Sequence, residues 1–286
     1  VSKIFGVVEG FYRRPYTSTQ RLDLIEFLSY LRLNTYVYGP KSDPFHRRKW
    51  YEPYPKQKLN EFAELSERCK KKKINLVYAL SPVYCPDLNR AIKKIASLVA
   101  IGISHFSIFF DDIKVRLDAT TAEKQLHIVN GLYNYLREEI ADSYLSFCPT
   151  QYHGFKETTY IRCIATNLNR KVDIFWTGKN VVSLRISKKD IEKITRLMGR
   201  PILIWDNIFA NDYIPGKIMR FPYRNRAPEI IKAVRGILIN PMNNYIDSKP
   251  LIHTAAQFFK NPYTYDPKQA WKKARTYTEN ANICRT

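Results

Sequence analysis

Two adjacent aspartates, Asp111 and Asp112, follow the apolar run Phe106-Ser-Ile-Phe-Phe110 without a break, and no basic residue comes until Lys114. Neighbouring carboxylates at the end of a buried segment are costly, because burial and mutual repulsion both oppose double ionisation. Such a pair tends to split its titrations into one proton donor and one anion, which suits acid–base catalysis. Two other uses fit the same residues. One is capping the next helix; the other is a divalent metal, for which only Glu9 and Asp206 at other segment ends would add carboxylates. A second cluster, Trp205-Asp-Asn207, is followed by Asn211-Asp-Tyr213. An indole beside amide and carboxylate groups suits a sugar ring, which has an apolar face and a rim of hydroxyls. Tyr152, Lys41 and Asn240 add donors. Taken singly, Trp205 reads as core and Lys41 as a surface charge; what they share is location.

That location is the end of a short apolar run. Eight such runs recur: Ile4–Gly10, Thr35–Pro40, Asn75–Pro82, His105–Asp112, Tyr144–Tyr152, Asp173–Gly178, Pro201–Asn207 and Gly236–Met242. They start 28 to 40 residues apart, and most gaps hold a helix-like segment. The rhythm predicts an α/β protein, a (β/α)8 TIM barrel, in which chemistry sits at the C-terminal ends of the strands. Several runs are almost continuously apolar, as parallel strands covered by helices are. Between them, Thr17-Ser18 offers an N-cap before Leu22, Leu24, Ile25, Leu28 and Leu31 at helical spacing. Further helices are expected over Lys56–Lys72, Ala91–Ile101 and Thr120–Leu136. Ser187 with Asp190 reads as a capping box and Gly199 as a helix stop, while Pro228–Arg235 and Pro250–Lys260 place proline near a first turn. The single catalytic domain is expected over residues 1–261. Residues 262–286 form a short C-terminal helical tail, with a helix over Pro267–Asn280 that could open a further domain.

The 286 residues, 45% of them hydrophobic, suit one barrel with a sizeable core. No apolar stretch approaches the roughly 20 residues that crossing a bilayer takes. The chain begins in a strand, without a basic leader or small-residue cleavage site. Five cysteines, Cys69, Cys85, Cys148, Cys163 and Cys284, are odd in number and scattered. They read as free thiols and favour a reducing, cytoplasmic setting. No H-E-x-x-H, no clustered histidines and no glycine-rich phosphate cradle occur, so neither a metal nor another cofactor is expected. The formal net charge is +21. A polyanion partner would explain it, whether nucleic acid, an anionic lipid surface or an acidic glycan. The plainer reading is a solvated lysine-rich surface. The densest run, Lys70–Lys73, falls at a helix end before the third strand, on the face opposite the expected site. No aromatic-basic motif accompanies it, which argues against nucleic acid, and no pattern fixes an oligomeric state.

The chain resembles glycoside hydrolase family 84, the β-N-acetylglucosaminidases that include protein O-GlcNAcases and enzymes historically called hyaluronidases. The resemblance is carried by Gly6-Val-Val-Glu-Gly-Phe-Tyr12, Lys41-Ser-Asp-Pro-Phe-His-Arg47, Phe109-Phe-Asp-Asp-Ile113 and Cys148-Pro-Thr-Gln-Tyr152. It continues through Trp176-Thr-Gly178, Val181-Val-Ser183, Trp205-Asp-Asn207, Asn211-Asp-Tyr213 and Asn240-Pro241. These stretches run in order from residue 4 to about residue 260.

The resemblance implies a retaining exo-β-N-acetylglucosaminidase with substrate-assisted chemistry, an exception to the two-carboxylate nucleophile scheme. The 2-acetamido oxygen of the sugar would attack its own anomeric carbon and form an oxazoline. Asp111 would polarise the acetamido N–H, and Asp112 would serve as acid and then base. Tyr152 would bond near the reacting oxygen, Trp205 with Cys148 would wall the acetamido methyl, and Asn207 would support that end. The Gly10 carbonyl, Lys41, Asp212 and Asn240 would hold hydroxyls, with Val181 at the rim. The implied substrates are GlcNAc-modified proteins. The alternatives are β-GlcNAc glycans, or a binding module with little turnover. The chain departs from the family pattern at Arg13 (usually Gly), Ser42 (Asp), Val83 (Gly), Gln151 (Glu), Lys179 (Pro) and Phe221 (Gly). These departures fall mostly in loops and leave the pocket residues intact.

Overall fold

The computed structural model of the protein describes residues 3–283, so Cys284 lies outside the described residues. Eight parallel strands close into a barrel: β1 (Ile4–Glu9), β2 (Thr35–Tyr38), β3 (Asn75–Leu80), β4 (His105–Phe109), β5 (Tyr144–Cys148), β6 (Asp173–Trp176), β7 (Leu203–Asp206) and β8 (Gly236–Ile239). The last strand returns to the first, with Gly6 opposite Leu238. This is the expected (β/α)8 architecture. Each strand is shorter than its apolar run, because the final residues of each run leave the ladder and turn into the barrel mouth.

Side chains alternate along the strands as the pleat requires. On β4, Ile108 packs outward into the layer beneath the helices, as does Phe110 just beyond it, while Phe109 points inward. The inner set includes Val8, Val37, Val77, Cys148, Phe175, Trp205 and Leu238, so the barrel is a packed core and not a pore.

The helices are α1 (Ser18–Tyr30), α2 (Lys56–Lys72), α3 (Leu88–Val99), α4 (Ala119–Glu139), α5 (Thr159–Asn167), α6 (Lys188–Met198), α7 (Ile230–Ala233), α8 (Tyr245–Lys260) and α9 (Pro267–Ile283). Thr17 and Ser187 cap α1 and α6 in full capping boxes with Gln20 and Asp190, and Gly199 ends α6 at φ 61°. Lys70, Lys71 and Lys72 fill the last turn of α2, where cations meet the negative end of the helix dipole.

Proline misleads at two places. Pro228 precedes only one helical turn, α7, and Pro250 lies inside α8 instead of starting it. The missing N–H at position 250 would have bonded the Ile246 carbonyl; Ile246 is exposed, so water can take that bond. The C-terminal helix α9 packs on the barrel by burying Ala270 and Ala274, and Tyr277 stacks on Tyr30 at 4.8 Å. Among the described residues no helix is long and apolar enough to cross a membrane.

Candidate active site

The strand ends enclose a cavity of about 450 Å3, lined by every residue expected from the sequence except Lys41. Gly10 from β1, Asp111 and Asp112 after β4, Cys148 and Tyr152 from β5 and its loop, Val181 after β6, Trp205, Asn207 and Asp212 from β7 and its loop, and Asn240 after β8 all reach it. The volume is in the range of sites that take a small molecule.

Lys41 lies underneath. Its Nζ sits 2.7 and 2.6 Å from the two carboxylate oxygens of Asp111 and 5.0 and 5.5 Å from the ring centres of Phe109 and Trp205. With 1% of its side chain exposed, its charge is paid for by that carboxylate and by the ring faces. Arg47 adds a second cation, 4.0 Å from Asp111 Oδ1. Its Nη2 donates to the main-chain carbonyls of Asp111 and Asp112 at 3.1 and 3.2 Å, and its Nη1 donates to Ser81 Oγ at 2.9 Å. The guanidinium therefore clamps the turn after β4.

Asp112 has a different environment from its neighbour. Its φ is 57°, in the left-handed region, which is uncommon for residues with a side chain though Asp tolerates it better than most. Tyr12 donates its hydroxyl to Oδ2 at 2.8 Å and Tyr152 to Oδ1 at 2.6 Å. Burial pushes the Asp112 carboxyl up, but the Lys41 charge, the Tyr152 and Tyr12 hydroxyls and Arg47 outweigh it and hold it below the usual carboxylate range. The sequence suggests that repulsion would leave one member of the pair protonated. The structure differs: Lys41 and Arg47, distant in sequence, neutralise the pair, and Asp112 is held as an anion. Burial and the Asp112 charge push the Tyr152 phenol far up, so it remains a donor.

The opposite wall is an amide network. Asn207 Oδ1 accepts from Trp205 Nε1 and from Asn240 Nδ2, both at 2.9 Å, and Asn207 Nδ2 donates to the Val181 carbonyl at 2.8 Å. The Gly10 N–H donates to Asn240 Oδ1 at 3.2 Å. A Cβ at Gly10 would sit inside the Trp205 ring, so glycine is what lets the indole lie against β1. Cys148 is buried beside them, and burial keeps it a thiol. Asp212 Oδ2 accepts the Tyr12 N–H at 2.8 Å, which ties the loop after β7 to the one after β1.

Glu9 and Asp206, the carboxylates that a metal would have needed, face away from the cavity. Glu9 is bonded by Arg21 at 2.8 and 2.9 Å, by the Tyr16 N–H at 3.0 Å and by the Tyr36 hydroxyl. Asp206 is bonded by Arg226 at 2.6 and 2.8 Å and by Tyr223 at 2.7 Å. Among the described residues no group of three or more His, Cys, Asp or Glu could hold a metal ion.

Sequence reasoning did not single out Tyr12, Thr177, Val182, Ala210 or Tyr213 as lining residues, nor Arg47 as the clamp. Tyr12 stands two positions after Gly10, and proximity to a strand end was the available signal. Two departures from the family pattern meet at the rim. Arg13 takes φ 73°, donates from Nε to the Asp212 carbonyl at 2.8 Å, and accepts the Ser42 hydroxyl on its own carbonyl.

Residues 5–284 match the sequence profile of the NAGidase family, described as beta-N-acetylglucosaminidase. Proteins named Protein O-GlcNAcase from Rattus norvegicus and Mus musculus are each 33% identical over 275 residues, covering 90% of this chain and 30% of their own length. The solved structure of an aspartate-to-asparagine mutant of the Thermobaculum terrenum O-GlcNAc hydrolase superposes with a TM-score of 0.90 at 32% identity. That match covers 96% of this chain and 62% of the bacterial one. The chain thus spans less than two thirds of these relatives.

Proposed function

The chain belongs to the β-N-acetylglucosaminidase family, and from that premise we propose that it is a retaining exo-β-N-acetylglucosaminidase that removes O-GlcNAc from Ser and Thr of proteins. The observation that carries the reading is the pair of adjacent aspartates in unlike settings at one cavity. One is charge-paired from below by Lys41, and the other is held from the cavity side by two phenols.

The reaction needs no nucleophile from the protein. With the sugar seated on Trp205, its acetamido oxygen attacks its own anomeric carbon and closes an oxazoline. Asp111, ion-paired to Lys41, accepts the acetamido N–H and stabilises the positive charge that develops as the ring closes. Asp112 protonates the departing serine or threonine oxygen, then takes a proton from the water that opens the oxazoline, so configuration is retained. The acid step requires a proton on Asp112. A sugar that recruits the Tyr152 hydroxyl to its acetamido oxygen and excludes water takes away two supports of the anion, and both changes raise the carboxyl. Asn240, Asp212 and the Gly10 carbonyl bind ring hydroxyls in this reading, and Cys148 with Trp205 walls the acetamido methyl. Among the described residues Cys69, Cys85, Cys148 and Cys163 are free thiols, which supports a reducing, cytoplasmic setting.

The test is hydrolysis of aryl β-N-acetylglucosaminides with graded leaving groups. Asp111→Asn is expected to lower kcat about 10²–10³-fold for every leaving group. Asp112→Asn should hurt most when the leaving group is poor and least when it is good, because little protonation is then needed. Uniform loss across the series would remove Asp112 as the acid. Tight binding of an oxazoline-like inhibitor without turnover would replace the enzyme with a binding module.

A further inference from the structure

Two of the loops around the cavity mouth carry charge of one sign only. The loops after β1 and β6 contain Arg13, Arg14, Lys179 and Arg185 and not one carboxylate. The loop after β4 adds Lys114 and Arg116; its outer acid, Asp118, accepts the Thr121 N–H as the cap of α4. On the helices some cations stand beside acids, as in Lys58–Glu61 at 2.7 Å and Arg68–Glu26 at 2.8 Å, because those elements also carry carboxylates. Among the described residues Arg14, Lys114, Lys179 and Arg185 are in no ion pair. Three of the departures noted above move this rim in the same direction. Arg13 and Lys179 introduce a cation where the family usually has none, and Ser42 replaces a carboxylate while its hydroxyl braces Arg13. Arg13 takes the left-handed backbone at some cost, where glycine would take it freely.

We infer that the mouth selects GlcNAc carried on an acidic polypeptide segment, with aspartates and glutamates flanking the modified residue. This rests on the β-N-acetylglucosaminidase reading of the cavity and names the aglycone that the same site takes. Cations on an uncompensated rim raise the local concentration of an anionic substrate and speed its capture, an effect that salt screens. A polypeptide fits better than an acidic glycan, because the rim also exposes Tyr12, Tyr84, Val115, Val181, Leu184 and Tyr213. The aliphatic members have a use for apolar side chains, which a polyuronic chain lacks.

The experiment compares kcat/KM of the full chain on four substrates: an aryl β-N-acetylglucosaminide, a GlcNAc-serine peptide with Asp and Glu flanks, the same peptide with Asn and Gln flanks, and a uronate-bearing oligosaccharide ending in β-GlcNAc. At low salt the acidic peptide should exceed its amide twin roughly tenfold. At about 0.5 M salt the ratio should fall towards unity. The triple variant Arg14→Gln, Lys114→Gln, Lys179→Gln should remove most of the ratio and leave the aryl substrate unchanged. A ratio near one at low salt, or an oligosaccharide outrunning the acidic peptide, would overturn the inference while the aryl activity stands. Loss of the aryl activity itself would instead strike the underlying reading and take this one with it.

Discussion

Three strand ends of the same barrel carry acids, and they have opposite fates. Glu9 and Asp206, at the ends of β1 and β7, are enclosed with Arg21 and Arg226 and have their oxygens saturated by hydrogen bonds. Asp111 and Asp112, after β4, have their cations beneath or behind them and turn towards the cavity. An acid at a strand end is therefore not in itself a mark of chemistry in this fold. What separates the two kinds is what the carboxylate borders: Glu9 and Asp206 are closed in by arginine and tyrosine, whereas Asp111, paired to Lys41 through both oxygens, still borders the cavity.

Substitutions can break that distinction or sharpen it. The largest effect should come from a locked acid. Asp206→Asn leaves Arg226 buried without its counter-charge and should cost about 3–5 kcal/mol, read from urea unfolding. Little change in stability would erase the contrast. Next comes the lysine that serves the open pair. Lys41→Met should lower kcat about 10²-fold on an aryl substrate, while its stability loss should be the smaller of the two, because cavity water can reach Asp111. A stability loss as large as that of Asp206→Asn would make Lys41–Asp111 one more structural lock. Smallest is Tyr12→Phe. Removing a donor that favours the Asp112 anion raises that carboxyl, so the alkaline limb of the pH profile, where the acid loses its proton, should move up by about one unit or less. Stability should report the same shift. A carboxyl held below its unfolded value stabilises the fold above the ordinary carboxylate range, and that contribution fades as pH falls through the depressed value. In Tyr12→Phe that contribution should be smaller and its loss complete at a higher pH, while the onset, set by the unfolded carboxyl, stays where it was.

Much of the barrel was legible, because each strand had to be apolar on both faces and each helix had to be amphipathic. The bounds of α2 were readable to the residue, since Leu59, Phe62 and Leu65 repeat at helical spacing and Pro55 precedes them. Pro250 was not, because burial of Leu251, Ile252 and Ala255 outweighs one missing hydrogen bond in α8. The lining residues could be located because strand ends converge by topology. Partnership between them was invisible. Nothing in the spacing of Lys41 and Asp111 says that the lysine lies below the acid, and no period runs through the loops that bring Tyr12 to Asp112. The site could be listed from sequence; its electrostatics needed the third dimension.

The reversed hand of the backbone at Asp112 has a consequence for how the two acids share a target. From Ile108 to Asp111 the chain sends side chains alternately into the helix layer and into the bore, so the next one is due outward, beside Phe110. The φ of 57° cancels that turn and aims a second carboxyl where the first already points. Two carboxyls thus converge across a single shared peptide bond, which keeps them neighbours in the cavity. A barrel built this way can change entrance residues that do not touch the pair, as at the Arg13 and Ser42 contact, and keep both acids turned to the same cavity.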